Sequence, residues 1–163
     1  MKYLLCIDGS PSGRKAADKA LSMVTPDDSL IFLSVYPPTP LNSVEPSSTT
    51  LSRMMLEMFS GVPDLVDAKE DQIKQIKRAN KRKSIAVQEL QHYKQTHVKC
   101  QDIKYLLVAS NEISDAITNV AEKYGADTVV LGSRGLGSIK RMLLGSVSSQ
   151  VLQMSHCSVL IVR

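Results

Sequence analysis

Five short runs of apolar, mostly β-branched residues punctuate this chain, at residues 3–7, 29–36, 103–108, 127–131 and 158–162. Runs so short and so uniformly apolar suit strands buried on both faces. Between them lie stretches with helical spacing. After the first run, Ala16, Ala17, Ala20, Leu21 and Val24 recur along one face, and Thr25-Pro26-Asp27-Asp28 stops the helix. Strand, helix and next strand span about 34 residues, the size of a right-handed parallel crossover. Later, Ile117, Val120 and Ala121 share a face within residues 114–124, with Gly125 placed to end that helix. Val147, Val151 and Met154 do the same within residues 146–154. Strands alternating with helices predict a parallel, doubly wound α/β sheet. Such sheets bind ligands beyond the carboxyl ends of their strands, where the strand order reverses.

The middle of the chain reads differently. Four of the seven prolines fall within residues 37–46, among Ser and Thr, which predicts a loop. Leu51, Met54, Met55, Met58 and Phe59 predict a short amphipathic helix over residues 50–59. Residues 67–96 read as a longer helix. Counted at 100° steps from Ile73, its apolar face holds Ile76, Ala79, Ala86, Val87, Leu90 and Tyr93. Lys74, Lys77, Arg78, Lys81 and Arg82 fall opposite. Lys83 lands inside the apolar face, so a break, or an extension past the core, is expected there.

Composition narrows the function classes. A chain of 163 residues and 17.9 kDa fits one domain with a proper core. Its net charge of +4 permits an anionic partner without requiring one. Aromatics make up 4% and Trp is absent, which argues against nucleic-acid binding by base stacking. Cys6, Cys100 and Cys157 are odd in number, lack C-x-x-C spacing and sit in apolar runs, so reduced, buried thiols are expected. The first apolar run stops at Asp8, too short for a signal-peptide core, and no run reaches the length of a membrane span. A cytoplasmic protein is expected, with no membrane partner. The basic stretch from Lys74 to Lys83 offers a route to nuclear entry or an anionic docking face. His92, His97 and His156 have no metal-ligand spacing, and none neighbours the glycine-rich segment in sequence.

That segment carries the chemistry. It runs Gly132-Ser133-Arg134-Gly135-Leu136-Gly137-Ser138 and on through Gly145-Ser146-Val147-Ser148, from a strand end to a helix start. Glycines let backbone approach a ligand, successive amides form an anion nest, and the helix start adds unpaired N–H groups. Ser146 and Ser148 add hydroxyls. The result is a phosphate cradle, or a glycine-rich turn capped by Ser146. Neither a G-x-x-x-x-G-K-[ST] loop nor G-x-G-x-x-G occurs, which disfavours kinase-like and dinucleotide sites.

The spacing of Gly132, Gly135 and Gly145-Ser146 resembles the G-x2-G-x9-G-[ST] signature of the universal stress protein family. Leu5-Cys6-Ile7-Asp8-Gly9-Ser10 resembles that family's first strand and acidic turn, residues 126–131 its fourth strand, and Val159-Leu160-Ile161-Val162 its last. The resemblance covers residues 1–36 and 100–163 well. It implies a single domain over residues 1–163 with a variable insert at about 37–66. The implied fold is a three-layer α/β/α, Rossmann-like, with a five-stranded parallel sheet in the order 3-2-1-4-5. It further implies binding of an adenine nucleotide, ATP with Mg as its companion ion, and no metal held by protein side chains. Asp8 would hold the ribose hydroxyls, and Ile7 and Val35 would flank the adenine. Leu131 and Gly132 would lie near the ribose and α-phosphate, and Gly135, Gly145, Ser146, Val147 and Ser148 would donate to the phosphates. Arg134 lies in the two-residue gap and could approach the phosphates, though the motif does not demand it, and a Cβ at position 132 would fill phosphate space. A homodimer through residues 158–162 is also implied, in keeping with an apolar edge strand that must not stay bare. The function implied is a nucleotide-dependent sensor or switch in stress response. With no catalytic base in the motif, slow ATP hydrolysis is the most activity expected. The competing reading is a nucleotide-independent interaction module that uses the dimer surface and the basic helix face.

Overall fold

The computed structural model describes residues 1–39, 63–96, 98–100, 102–135 and 144–163; side chains within 63–70 and at 72 are outside that description. The expected helix over 50–59, most of the proline-rich loop and insert, and Gly137 and Ser138 lie outside the described residues.

Five strands form one sheet: β1 (Lys2–Cys6), β2 (Ser29–Tyr36), β3 (Asp102–Ala109), β4 (Thr128–Gly132) and β5 (Ser158–Val162). Their order is β3-β2-β1-β4-β5, and all four pairings are parallel. The described helices are α1 (Pro11–Met23), α2 (Pro63–Gln95), α3 (Ile113–Tyr124) and α4 (Ser146–Met154). Alternation along the strands feeds two cores, because successive side chains point to opposite faces. Leu5, Ile7, Phe32 and Val130 pack with Ala16, Ala17, Ala20, Leu90 and Tyr93 beneath α1 and α2. Leu4, Ile31, Leu33, Val129 and Leu131 pack with Ile117, Ala121 and Val151 beneath α3 and α4. This is the expected three-layer α/β/α architecture, strand order included.

Small residues set the helix-to-sheet distance. Gly13, Ala16, Ala17 and Ala20 are the buried positions of α1, so its backbone lies close over the sheet. Ser10 caps that helix, its hydroxyl accepting from the Gly13 amide at 3.0 Å, and Pro11 starts it. Gly125 ends α3 in the left-handed conformation, with φ of 61°.

Three expectations need correction. α2 does not break at Lys83; the helix is continuous, and the Lys83 ammonium lies 5.8 Å from the centre of the Tyr36 ring. Ile73 is 50% exposed in the first half of α2, and Met154 is 43% exposed at the end of α4. All three cysteines are free, but only Cys100 is fully buried; Cys6 and Cys157 are half-buried.

Candidate functional site

The order of the sheet reverses at β1, whose neighbours are β2 and β4. β1 and β4 therefore open a crevice at their carboxyl ends, and two loops fill its rim.

The first loop is Asp8-Gly9-Ser10. Gly9 has φ of +76°, and a Cβ on it would come within 2.8 Å of Ile85 Cγ2. That turn swings Asp8 back over the start of α1. Asp8 Oδ1 accepts from the Ser10 amide at 3.0 Å and from the Ser10 hydroxyl at 2.6 Å. Ser10 is the cap of α1, and Asp8 supports it. The second oxygen, Oδ2, lies toward Gly135, where an added Cβ would sit 3.0 Å from it.

The second loop leaves β4 at Gly132. Its first residues are fastened to α1: the Arg134 carbonyl accepts from the Ser12 hydroxyl and lies 3.2 Å from that of Ser10. A Cβ on Gly132 would meet Gly13 N and Ser12 C at 2.6 Å each. Glycine is required at 132 by the backbone of α1, which corrects the expectation that a Cβ there fills phosphate space. The loop's far end is clasped as well. The Gly145 amide donates to the Ser133 carbonyl at 2.7 Å. The Ser148 hydroxyl donates to the carbonyls of Ser133 at 3.1 Å or Gly145 at 3.0 Å. This hydroxyl proton, read from the sequence as a ligand donor, is engaged within the loop. Gly145 occupies the cap position of α4 and offers no side chain, so Ser146 is not the cap. The first-turn amides of α4 have no side-chain cap, the arrangement that favours an anion.

Together the loops enclose a cleft of about 330 Å³. All eleven residues singled out from the sequence line it: Ile7, Asp8, Val35, Leu131, Gly132, Arg134, Gly135, Gly145, Ser146, Val147 and Ser148. One wall is apolar, where Ile7, Val35 and Leu131 are joined by Ile85, Ile113 and Ile117. The other is the glycine-rich backbone. Arg134 Nε is buried and lacks a hydrogen-bond partner among the described residues, a donor without an acceptor. Cys6 also borders the cleft. Burial, then the nearby Asp8 charge, pushes its thiol up to about 12, so it is neutral and a poor nucleophile.

Sequence reasoning missed the contribution of α2. Arg82, Ile85 and Ala86 line the cleft; Arg82 is solvent-exposed, as expected, and still borders it. The usable signal was the buried set Ala79, Ala86, Leu90 and Tyr93. At 100° per residue, Arg82 lies within about 60° of Ala79, Ala86 and Tyr93. Starting the wheel at Ile73, an exposed residue, turned the face away from it.

The geometry matches known proteins over its whole length. The model of the universal stress protein family matches residues 1–163. The chain is 30% identical over 162 residues to universal stress protein YxiE of Bacillus subtilis, covering 99% of this chain and 98% of that protein. Among solved structures it is similar to hypothetical protein MJ0577 of Methanocaldococcus jannaschii, with a TM-score of 0.58, 25% identity, and coverage of 99% and 94% of the two chains. A universal stress protein in complex with cAMP shares the fold, with a TM-score of 0.54 and 22% identity over 100% of this chain and 96% of that one. A match end to end, through both the β1 turn and the β4 loop, leaves one assignment: this chain belongs to the universal stress protein family.

Proposed function

We propose that the cleft binds ATP and that the protein serves as a nucleotide-dependent sensor or switch in stress response. One observation carries this reading. An apolar slot and an amide-rich, cation-flanked loop meet at Asp8, the one carboxylate among the described residues that line this cleft of about 330 Å³. A planar base suits Ile7 and Val35, and a cis-diol suits the free Oδ2 of Asp8. A phosphate chain suits the segment near Leu131 and Gly132, then Gly135, Gly145, Ser146, Val147 and Ser148, with Arg134 alongside. The Arg134 side chain borders this segment, and any Mg would arrive with the phosphates. The relative solved with cAMP, another adenine nucleotide, supports the ligand class. The same reading takes residues 1–163 as one domain with a variable insert at about 37–66, cytoplasmic, and dimeric through β5 at the sheet's edge. No described helix is long and apolar enough to cross a membrane.

The test is direct. Nucleotide released from purified, denatured protein is identified, and ATP binding is followed by calorimetry for wild type and Asp8→Asn. Loss of one charged acceptor should weaken ATP about ten- to hundredfold. No released nucleotide and no heat with ATP overturns the reading. Light scattering on the same sample should report two chains.

A further inference from the structure

A second cavity, of about 350 Å³, lies between the first turn of α1, the start of the β4 loop and the end of β5. Arg134 and Gly135 border both cavities; the other residues here take no part in the cleft described above. Three cations converge on it: Lys15, Arg134 and Arg163. Among the described residues, no carboxylate side chain lines it. Ser133 also lines it and is only 3% exposed. The Nε of Arg134 is buried and has no hydrogen-bond partner among the described residues. Ser12 borders the cavity at the second position of α1. Pro11 has no N–H, and the Gly13 and Arg14 amides are taken by the hydroxyl and carbonyl of Ser10. The Ser12 amide is left without an acceptor among the described residues, at the positive end of a 13-residue helix whose first turn holds no acid.

We propose that this cavity is a second anion site and that it takes a phosphate group. Its donors differ in kind: a guanidinium fork, a point-charge ammonium, a buried hydroxyl and a helix-start amide. A planar carboxylate has two oxygens to offer them, whereas a tetrahedral phosphate has acceptors facing every side. The source is either free phosphate or a small phosphate monoester. Because Arg134 and Gly135 form the shared wall, occupancy here braces the loop on the side away from the cleft.

The experiment follows backbone amide NMR shifts at constant ionic strength during titration with inorganic phosphate, and in parallel with glycerol 3-phosphate. Lys15→Gln/Arg163→Gln is the control variant, since both side chains are exposed and neither lines the cleft. Saturable shifts at Ser12, Gly13 and Ser133 are expected in wild type, weakened at least about tenfold in the double variant. The tighter of the two ligands identifies the source. Shifts at Ser146 to Ser148 report the cleft separately, so failure of the nucleotide reading removes those and leaves the others. Absence of saturable shifts at Ser12 and Gly13, or their retention in the double variant, overturns the proposal.

Discussion

At Gly132, one hydrogen in place of a side chain lets α1 lie against the end of β4. The atoms a Cβ would strike belong to the backbone of Ser12 and Gly13, which a rotamer change cannot move. Gly132→Val should therefore cost about 1–3 kcal/mol of stability, as overpacking does, and lower the urea midpoint along with ATP affinity. Gly135→Ala makes the contrast. Its nearest obstacle is Asp8 Oδ2 at 3.0 Å, the tip of a side chain. Stability should stay within about 0.5 kcal/mol while ATP affinity drops. Equal urea midpoints for wild type and Gly132→Val would refute the packing argument. The sequence spacing marked both glycines for the site. It could not say which neighbour each one accommodates, because Ser12 and Gly13 lie far away along the chain.

At the scale of elements, α2 makes the contribution that spacing concealed. Its inward stripe of Ala79, Ala86, Leu90 and Tyr93 sets the exposed Arg82 at the edge of the cleft, while Lys77, Arg78 and Lys81, exposed as well, are not among its lining residues. Glu89, also buried, pairs with Arg14 of α1 at 2.7 Å and helps hold the two helices together. Arg82→Gln should weaken ATP by roughly two- to fivefold, an effect that shrinks with added salt. Replacing Lys77, Arg78 and Lys81 together with Gln should leave ATP affinity unchanged; calorimetry at two salt concentrations checks both. The strands were legible because buried parallel strands need uninterrupted apolar runs. A helix with one face exposed has no such signature, and the apolar Ile73 lies on its exposed side.

For the whole molecule, the core beneath α1 and α2 makes the fold sensitive to alkali. Phe32 stacks between Tyr93 and Tyr105, with ring centres 5.1 Å apart on each side. Burial, then the charge of Glu89, raises the Tyr93 hydroxyl from 10.0 to about 12. Cys6 rises from 9.0 to about 12, chiefly through burial. Both groups are held neutral in the folded state, so their contribution is complete below pH 9 and is lost progressively as pH rises toward 12. Circular dichroism should show an alkaline transition in that window, with a higher midpoint in Tyr93→Phe; identical midpoints would exclude the Tyr93 contribution. The tie between the Ser12 hydroxyl and the Arg134 carbonyl spans 122 residues of sequence. The order of synthesis follows from it. The turn at Asp8 is made first and waits while some 122 further residues are added before the loop that completes the cleft. A growing chain therefore has no complete cleft until the residues on both sides of that tie have been made, however early its first turn folds.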